Sequence, residues 1–84
     1  MKKIAVVIPT YNRRDYLRTV LDCLKKQNTR GFSLIIIVVV DGSTDGTIEM
    51  LETDFPGIHI ILGDGNWWFT KSLNRGCEKA QKLN

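Results

Sequence analysis

The sequence has no long apolar run. Its two longest, residues 4–8 and 34–40, fall far short of the roughly 20 residues that a membrane-spanning helix needs. The first ends at Pro9, too soon for the apolar region of a secretory signal. Cysteine is also scarce. Cys23 and Cys77 form no CxxC pair and His59 is the only histidine, so neither a disulfide scaffold nor a structural metal site is expected. Both cysteines fall in helical patterns and are expected to be buried free thiols, which suits a reducing cytosol. His59 alternates with Ile58 and Ile60 and is expected on the more exposed face of a strand. Charge of one sign is not concentrated anywhere. Twelve basic and nine acidic side chains leave +3, and the nearest approach to a basic cluster is Lys25, Lys26 and Arg30. That group sits where a helix should end and where the helix dipole favours cations, so no nucleic-acid partner is expected. Phosphate-binding signatures are missing too. No GxxxxGK precedes a Ser or Thr, and residues 63–68 begin like GxGxxG but carry Trp68 where the third glycine belongs.

What the sequence does have is hydrophobic residues, 43 % of the total, gathered into periodic segments. A chain of that composition buries a core. Residues 4–8 (IAVVI) and 34–40 (LIIIVVV) are unbroken and rich in β-branched residues, as in strands buried on both faces of a parallel sheet. Pro9 lacks an N–H and should end the first strand. Between these strands Leu17, Val20, Leu21 and Leu24 mark one face of a helix, with Asn12 as its N-cap, an end near Gln27 and Gly31 beyond it. A second helix, capped by Ser43 or Thr44, should carry Ile48, Leu51 and Phe55 and close in the turn Asp54-Phe55-Pro56-Gly57. Residues 58–62 make a third strand. A third helix follows, with Phe69, Leu73, Gly76, Cys77 and Ala80 on one side. Strand and helix alternate three times with short links, which predicts βαβ units with right-handed crossovers.

Ligands of open parallel sheets lie beyond the carboxyl ends of the strands. Three segments fall there: Pro9-Thr10-Tyr11-Asn12, Asp41 to Asp45, and Gly63-Asp64-Gly65-Asn66. Each leads into a helix N-terminus, whose unpaired N–H groups suit anions such as phosphate. Tyr11 offers a ring for a base to stack on. Asp41 ends a wholly apolar strand and so holds a carboxylate at the sheet tip, where base N–H or ribose hydroxyls could donate to it. Asn12, Ser43 and Asp45 also suit plain helix capping. Trp67, Trp68 and Phe69 suit either packing of the third helix or a sugar-facing wall, and neighbours about 100° apart on a helix cannot both face the core.

The stretches VVIPTYNRRDYLRTVLDCLKKQ, IIIVVVDGSTDGTIEMLE and GDGNWWFTKSLNRG together resemble family 2 glycosyltransferases of the GT-A fold over nearly the whole chain. PTYNR about thirty residues before DGSTDGT carries most of the likeness. The WW segment with Asn74 and Gly76 is similar to a bacterial rhamnosyltransferase-like subgroup. The resemblance implies a partial doubly wound, Rossmann-like α/β fold with a three-stranded parallel sheet in the order 3-2-1. It implies a nucleotide-diphosphate sugar as donor, a hydroxyl acceptor on a glycan or lipid-linked molecule, and inversion at the anomeric carbon. By similarity Pro9, Thr10 and Tyr11 line the base pocket, Asp41 contacts base or ribose, and Gly65 and Asn66 border the cleft. The family's usual D-[DN]-G-S appears here as Val40-Asp41-Gly42-Ser43, leaving Asp41 as the only carboxylate at that tip. A Mg²⁺ or Mn²⁺ ion is implied as well. Its DxD site follows a fourth strand in the family, and Asp64 comes too early to match it.

The 84 residues are thus expected to be the nucleotide-binding part of a longer enzyme, stopping before the DxD motif, with no catalytic or metal-ligating residue of their own. Such a part is expected to be inactive alone. It is expected to associate as a homo-oligomer through its first strand or its aromatic segment, and to work in the cytoplasm or at the cytoplasmic face of a membrane. The alternative is a non-catalytic nucleotide-binding or interaction module on the same half-fold, since fold alone does not fix function.

Overall fold

A computed structural model describes residues 2–26 and 32–83, and of Lys2, Phe32, Trp68 and Phe69 only the backbone. Six elements alternate along the chain: β1 (Lys2–Thr10), α1 (Arg14–Lys25), β2 (Phe32–Asp41), α2 (Thr47–Asp54), β3 (His59–Gly63) and α3 (Trp68–Leu83). The strands form one parallel sheet in the order β1-β2-β3. This is the expected α/β architecture with the 3-2-1 order.

β2 lies in the middle because its residues 34–40 are all apolar, and Ile37, Val38, Val39 and Val40 are all buried. Val38 and Val40 face α1 and α2, clustering with Leu17 and Leu21 of the first, Met50 and Leu51 of the second, and Phe55, the C-cap of α2. Burial of each large aliphatic side chain there contributes roughly 1.5–3 kcal/mol. On the other face α3 crosses the sheet so closely that a Cβ on Gly76 would collide with Val7 and lie 3.2 Å from Val39. Ser72 and Gly76 are buried on this side, four residues apart on α3. Among the described helices, none is long and apolar enough to cross a membrane.

Several local expectations are corrected. β1 runs through Pro9, which pairs with Val39, and ends at Thr10. β1 is an edge strand, so the missing N–H of proline can point away from β2 at no cost in pairing. Cys23 and Cys77 are exposed, on the outer faces of α1 and α3. His59 is half-buried like its neighbours, and the exposed residue of β3 is Leu62. β3 starts at His59 and takes in Gly63. The helix stop assigned to Gln27 and Gly31 lies outside the described residues, with α1 capped by Lys26. Trp68 and Phe69 also have side chains outside them, and Trp67 is half-buried.

Candidate functional site

The register brings three loops to one level. Val40 sits opposite Thr10, and Asp41 opposite Gly63, so all three strands end together and release their chains on the same side of the sheet. Polar side chains then stitch the loops in pairs.

The first pair joins the β1–α1 and β2–α2 loops. The Asn12 N–H donates to Ser43 Oγ at 2.9 Å, and the Thr44 N–H donates to Asn12 Oδ1 at 2.7 Å. Asn12 takes a left-handed backbone, φ +49°, which asparagine tolerates better than most residues. This pairing replaces the expected capping: Asn12, Ser43 and Thr44 cap no helix. Asp45 caps two instead. Its Oδ2 accepts the Arg14 N–H at 2.9 Å, in the first turn of α1. Its Oδ1 accepts the Thr47 N–H at 3.2 Å and the Thr47 hydroxyl, in the first turn of α2. The Thr47 hydroxyl, followed by these backbone donors, holds the Asp45 carboxyl below its ordinary pKa against the opposing effect of burial.

The second pair joins β2 to the β3–α3 loop through Asp41, which is buried. One carboxylate oxygen accepts the Gly65 N–H at 2.8 Å and the other the Trp67 N–H at 2.9 Å. Gly42 (φ +78°) lets the loops touch, since a Cβ there would stand 2.6 Å from Gly65 Cα. The Asn66 N–H donates to Asp64 Oδ1 at 2.9 Å and closes the loop on itself. Trp67 lies over Gly63, with Lys71 Nζ 5.0 Å from the centre of its ring.

Between the stitched loops lies a cavity of about 370 Å³, lined by Pro9, Thr10, Tyr11, Arg13, Asp41, Gly65 and Ser72. Five of the six residues picked from the sequence meet there. Asn66 shares the loop but is exposed and outside the lining. Arg13 and Ser72 were not picked. Arg13 closes the PTYNR motif, so the motif itself held the clue. Ser72 stands four and eight residues before Gly76 and Ala80, a small-residue spacing that marks the sheet-facing side of α3. A second depression, between α1 and α2, is wider and open, and four of its five charged residues pair among themselves as Arg14–Asp15 and Arg18–Asp54. It borders the β2–α2 loop at Thr44 and Gly46 but shares no lining residue with the first cavity.

Residues 5–82 match the model of the family described as glycosyl transferase family 2. The chain belongs to that family. The uncharacterized glycosyltransferase YibD of Escherichia coli (strain K12) is 35 % identical over 81 residues, covering 93 % of this chain and 23 % of the relative. The abequosyltransferase RfbV of Salmonella typhimurium is 35 % identical over 83 residues, covering 87 % of this chain and 25 % of the relative. The poly(ribitol-phosphate) beta-N-acetylglucosaminyltransferase TarS of Staphylococcus aureus is 38 % identical over 52 residues, covering 62 % of this chain and 9 % of the relative. The chain thus spans about a quarter or less of the length of these relatives. No solved structure matches it significantly. As a family 2 domain it places its cavity where open parallel sheets bind ligands.

Proposed function

We propose that this chain is the donor-nucleotide side of a glycosyltransferase that moves a sugar from a nucleotide-diphosphate sugar to a hydroxyl acceptor, on a glycan or a lipid-linked molecule. The cavity carries this assignment. It brings an exposed aromatic ring, a proline, a buried carboxylate and a glycine backbone to the carboxyl ends of three parallel strands, with a cation alongside. Tyr11 and Pro9 suit the flat face of a base, and Arg13 suits a diphosphate. Asp41 acts on the ligand in two ways: its carboxylate lines the cavity, and its bonds to Gly65 and Trp67 fix the opposite wall. The named relatives above are sugar transferases, which favours the same chemistry.

In the transfer, the acceptor oxygen bonds to the anomeric carbon from the face opposite the leaving group. The bond from that carbon to the diphosphate breaks, its electron pair leaving with the nucleotide, and a general base takes the acceptor proton. No such base is assigned to this chain. Among the described residues no three His, Cys, Asp or Glu side chains converge as a metal site would require. The Mg²⁺ or Mn²⁺ that the family resemblance implies would be held by carboxylates outside these residues, together with the donor's diphosphate, whose charge it would neutralise. Cytoplasm, or the cytoplasmic face of a membrane, suits both a nucleotide-sugar donor and the exposed thiols of Cys23 and Cys77.

Thermal unfolding of the full-length protein tests the proposal. Uridine or deoxythymidine diphosphate at millimolar concentration should raise its Tm, because a ligand that binds only the folded state stabilises it. Tyr11→Ala should abolish most of the rise. No response to any nucleoside diphosphate would refute nucleotide binding.

A further inference from the structure

We propose that the Ser72 hydroxyl is a direct ligand contact at the inner end of the cavity and reads the base of the nucleotide, an inference that rests on the nucleotide-binding function proposed above. Three polar residues are buried among the described ones: Asp41, Thr47 and Ser72. Asp41 accepts two backbone N–H bonds, and the Thr47 hydroxyl donates to Asp45. Ser72, 1 % exposed, has no hydrogen-bond partner for its Oγ. A buried hydroxyl left unpaired is costly, and native structures rarely keep one without a purpose. A serine inside a helix commonly bonds back to the carbonyl one turn earlier, and Ser72 does not.

Packing alone does not account for this hydroxyl. The close approach of α3 to the sheet demands a small residue, as the lack of room at Gly76 shows. Alanine would meet that demand with higher helix propensity and no polar atom to satisfy. Ser72 instead lines the cavity, on the same lining as Asp41. The two buried polar residues of the lining, Asp41 and Ser72, contrast with Tyr11 and Arg13, which are exposed. A diphosphate, being doubly charged or more, stays by the exposed cation and solvent. The base, which is flat and carries only neutral donors and acceptors, takes the inner position. There the hydroxyl can donate to a ring carbonyl or accept from a ring N–H.

Titration calorimetry on the full-length protein tests this with three probes: uridine diphosphate, deoxythymidine diphosphate and inorganic pyrophosphate. Ser72→Ala should bind the two nucleotides about three- to tenfold more weakly, as expected for one neutral hydrogen bond, with pyrophosphate affinity unchanged. Ser72→Cys, nearly the same size but a weaker donor, should fall between. A Tm in Ser72→Ala at or above the wild-type value confirms that the fold is intact. Nucleotide affinity equal to wild type in Ser72→Ala would overturn the inference and leave nucleotide binding standing. An equal loss for pyrophosphate would overturn the assignment to the base. Failure of the wild-type protein to bind any of the three probes would overturn nucleotide binding itself, and this inference with it.

Discussion

Two carboxylates organise the loops, and each has a consequence that a single substitution exposes. Asp41→Ala removes the acceptor of the Gly65 and Trp67 N–H groups, in a region that is half-buried. Because hydrogen bonds to charged groups are worth about 1.5–3 kcal/mol, the variant should lose about 2 kcal/mol of stability and more than tenfold in nucleoside-diphosphate affinity. Urea unfolding and calorimetry on the full-length protein read the two losses. A fall in affinity with stability unmoved would show that Asp41 serves the ligand alone. Asp45 makes a different prediction. Its folded-state pKa lies below the ordinary carboxylate value, chiefly through the Thr47 hydroxyl, so its contribution is complete above the unfolded pKa of about 4. That contribution drains away as pH falls from there through the lower folded value. Stability of the wild-type protein should therefore decline below about pH 4 more steeply than that of Asp45→Asn, which keeps an acceptor oxygen but does not titrate. Parallel acid limbs for the two proteins would contradict the double cap.

At the scale of elements, much was legible because period and composition agreed. Residues 34–40 are apolar at every position, which only a strand covered on both faces requires, and β2 is that strand. Leu17 and Leu21 likewise marked the inner face of α1. The misses have one cause: a sequence pattern records local preference, whereas the partner that satisfies it is set by the tertiary fold. Asn12 reads as a cap, yet its side chain bonds 32 residues away to the Thr44 N–H. Pro9 reads as a strand end, yet an edge position tolerates it. Cys77 reads as inward from its spacing, but the axis of contact on α3 runs through Ser72 and Gly76 instead. In the site, most motif residues were easy to find, Arg13 excepted, and Ser72 was not, because its spacing to Gly76 and Ala80 marks a packed face and says nothing of a ligand until the sheet and cavity are in place. Gly76→Ala tests that contact. Overpacking against Val7 should cost about 1–3 kcal/mol, seen as a lower urea midpoint at unchanged m. An unchanged midpoint would mean that α3 sits farther from the sheet.

At the scale of the whole chain, β1 has one strand partner among the described residues and so presents an edge, and Ile4 on it is 40 % exposed. Such an edge favours pairing with another chain. We expect the 84 residues, prepared alone, to self-associate through β1 and to show no glycosyl transfer. Light scattering at micromolar concentration should give a mass above 9.6 kDa, and a stable monomer would contradict the pairing. Trp67, expected to add to the contact, is partly covered by Lys71 and Arg75, which leaves β1 the stronger surface. The central claim, that a nucleotide lies between the first and third loops, is tested most directly by NMR titration of the isotope-labelled full-length protein with uridine diphosphate. The largest shifts should fall on the amides of Tyr11, Gly65 and Ser72, while Arg18, Glu49 and Thr53 in the depression between α1 and α2 stay still. Shifts centred on that depression, or none at the strand ends, would contradict the site.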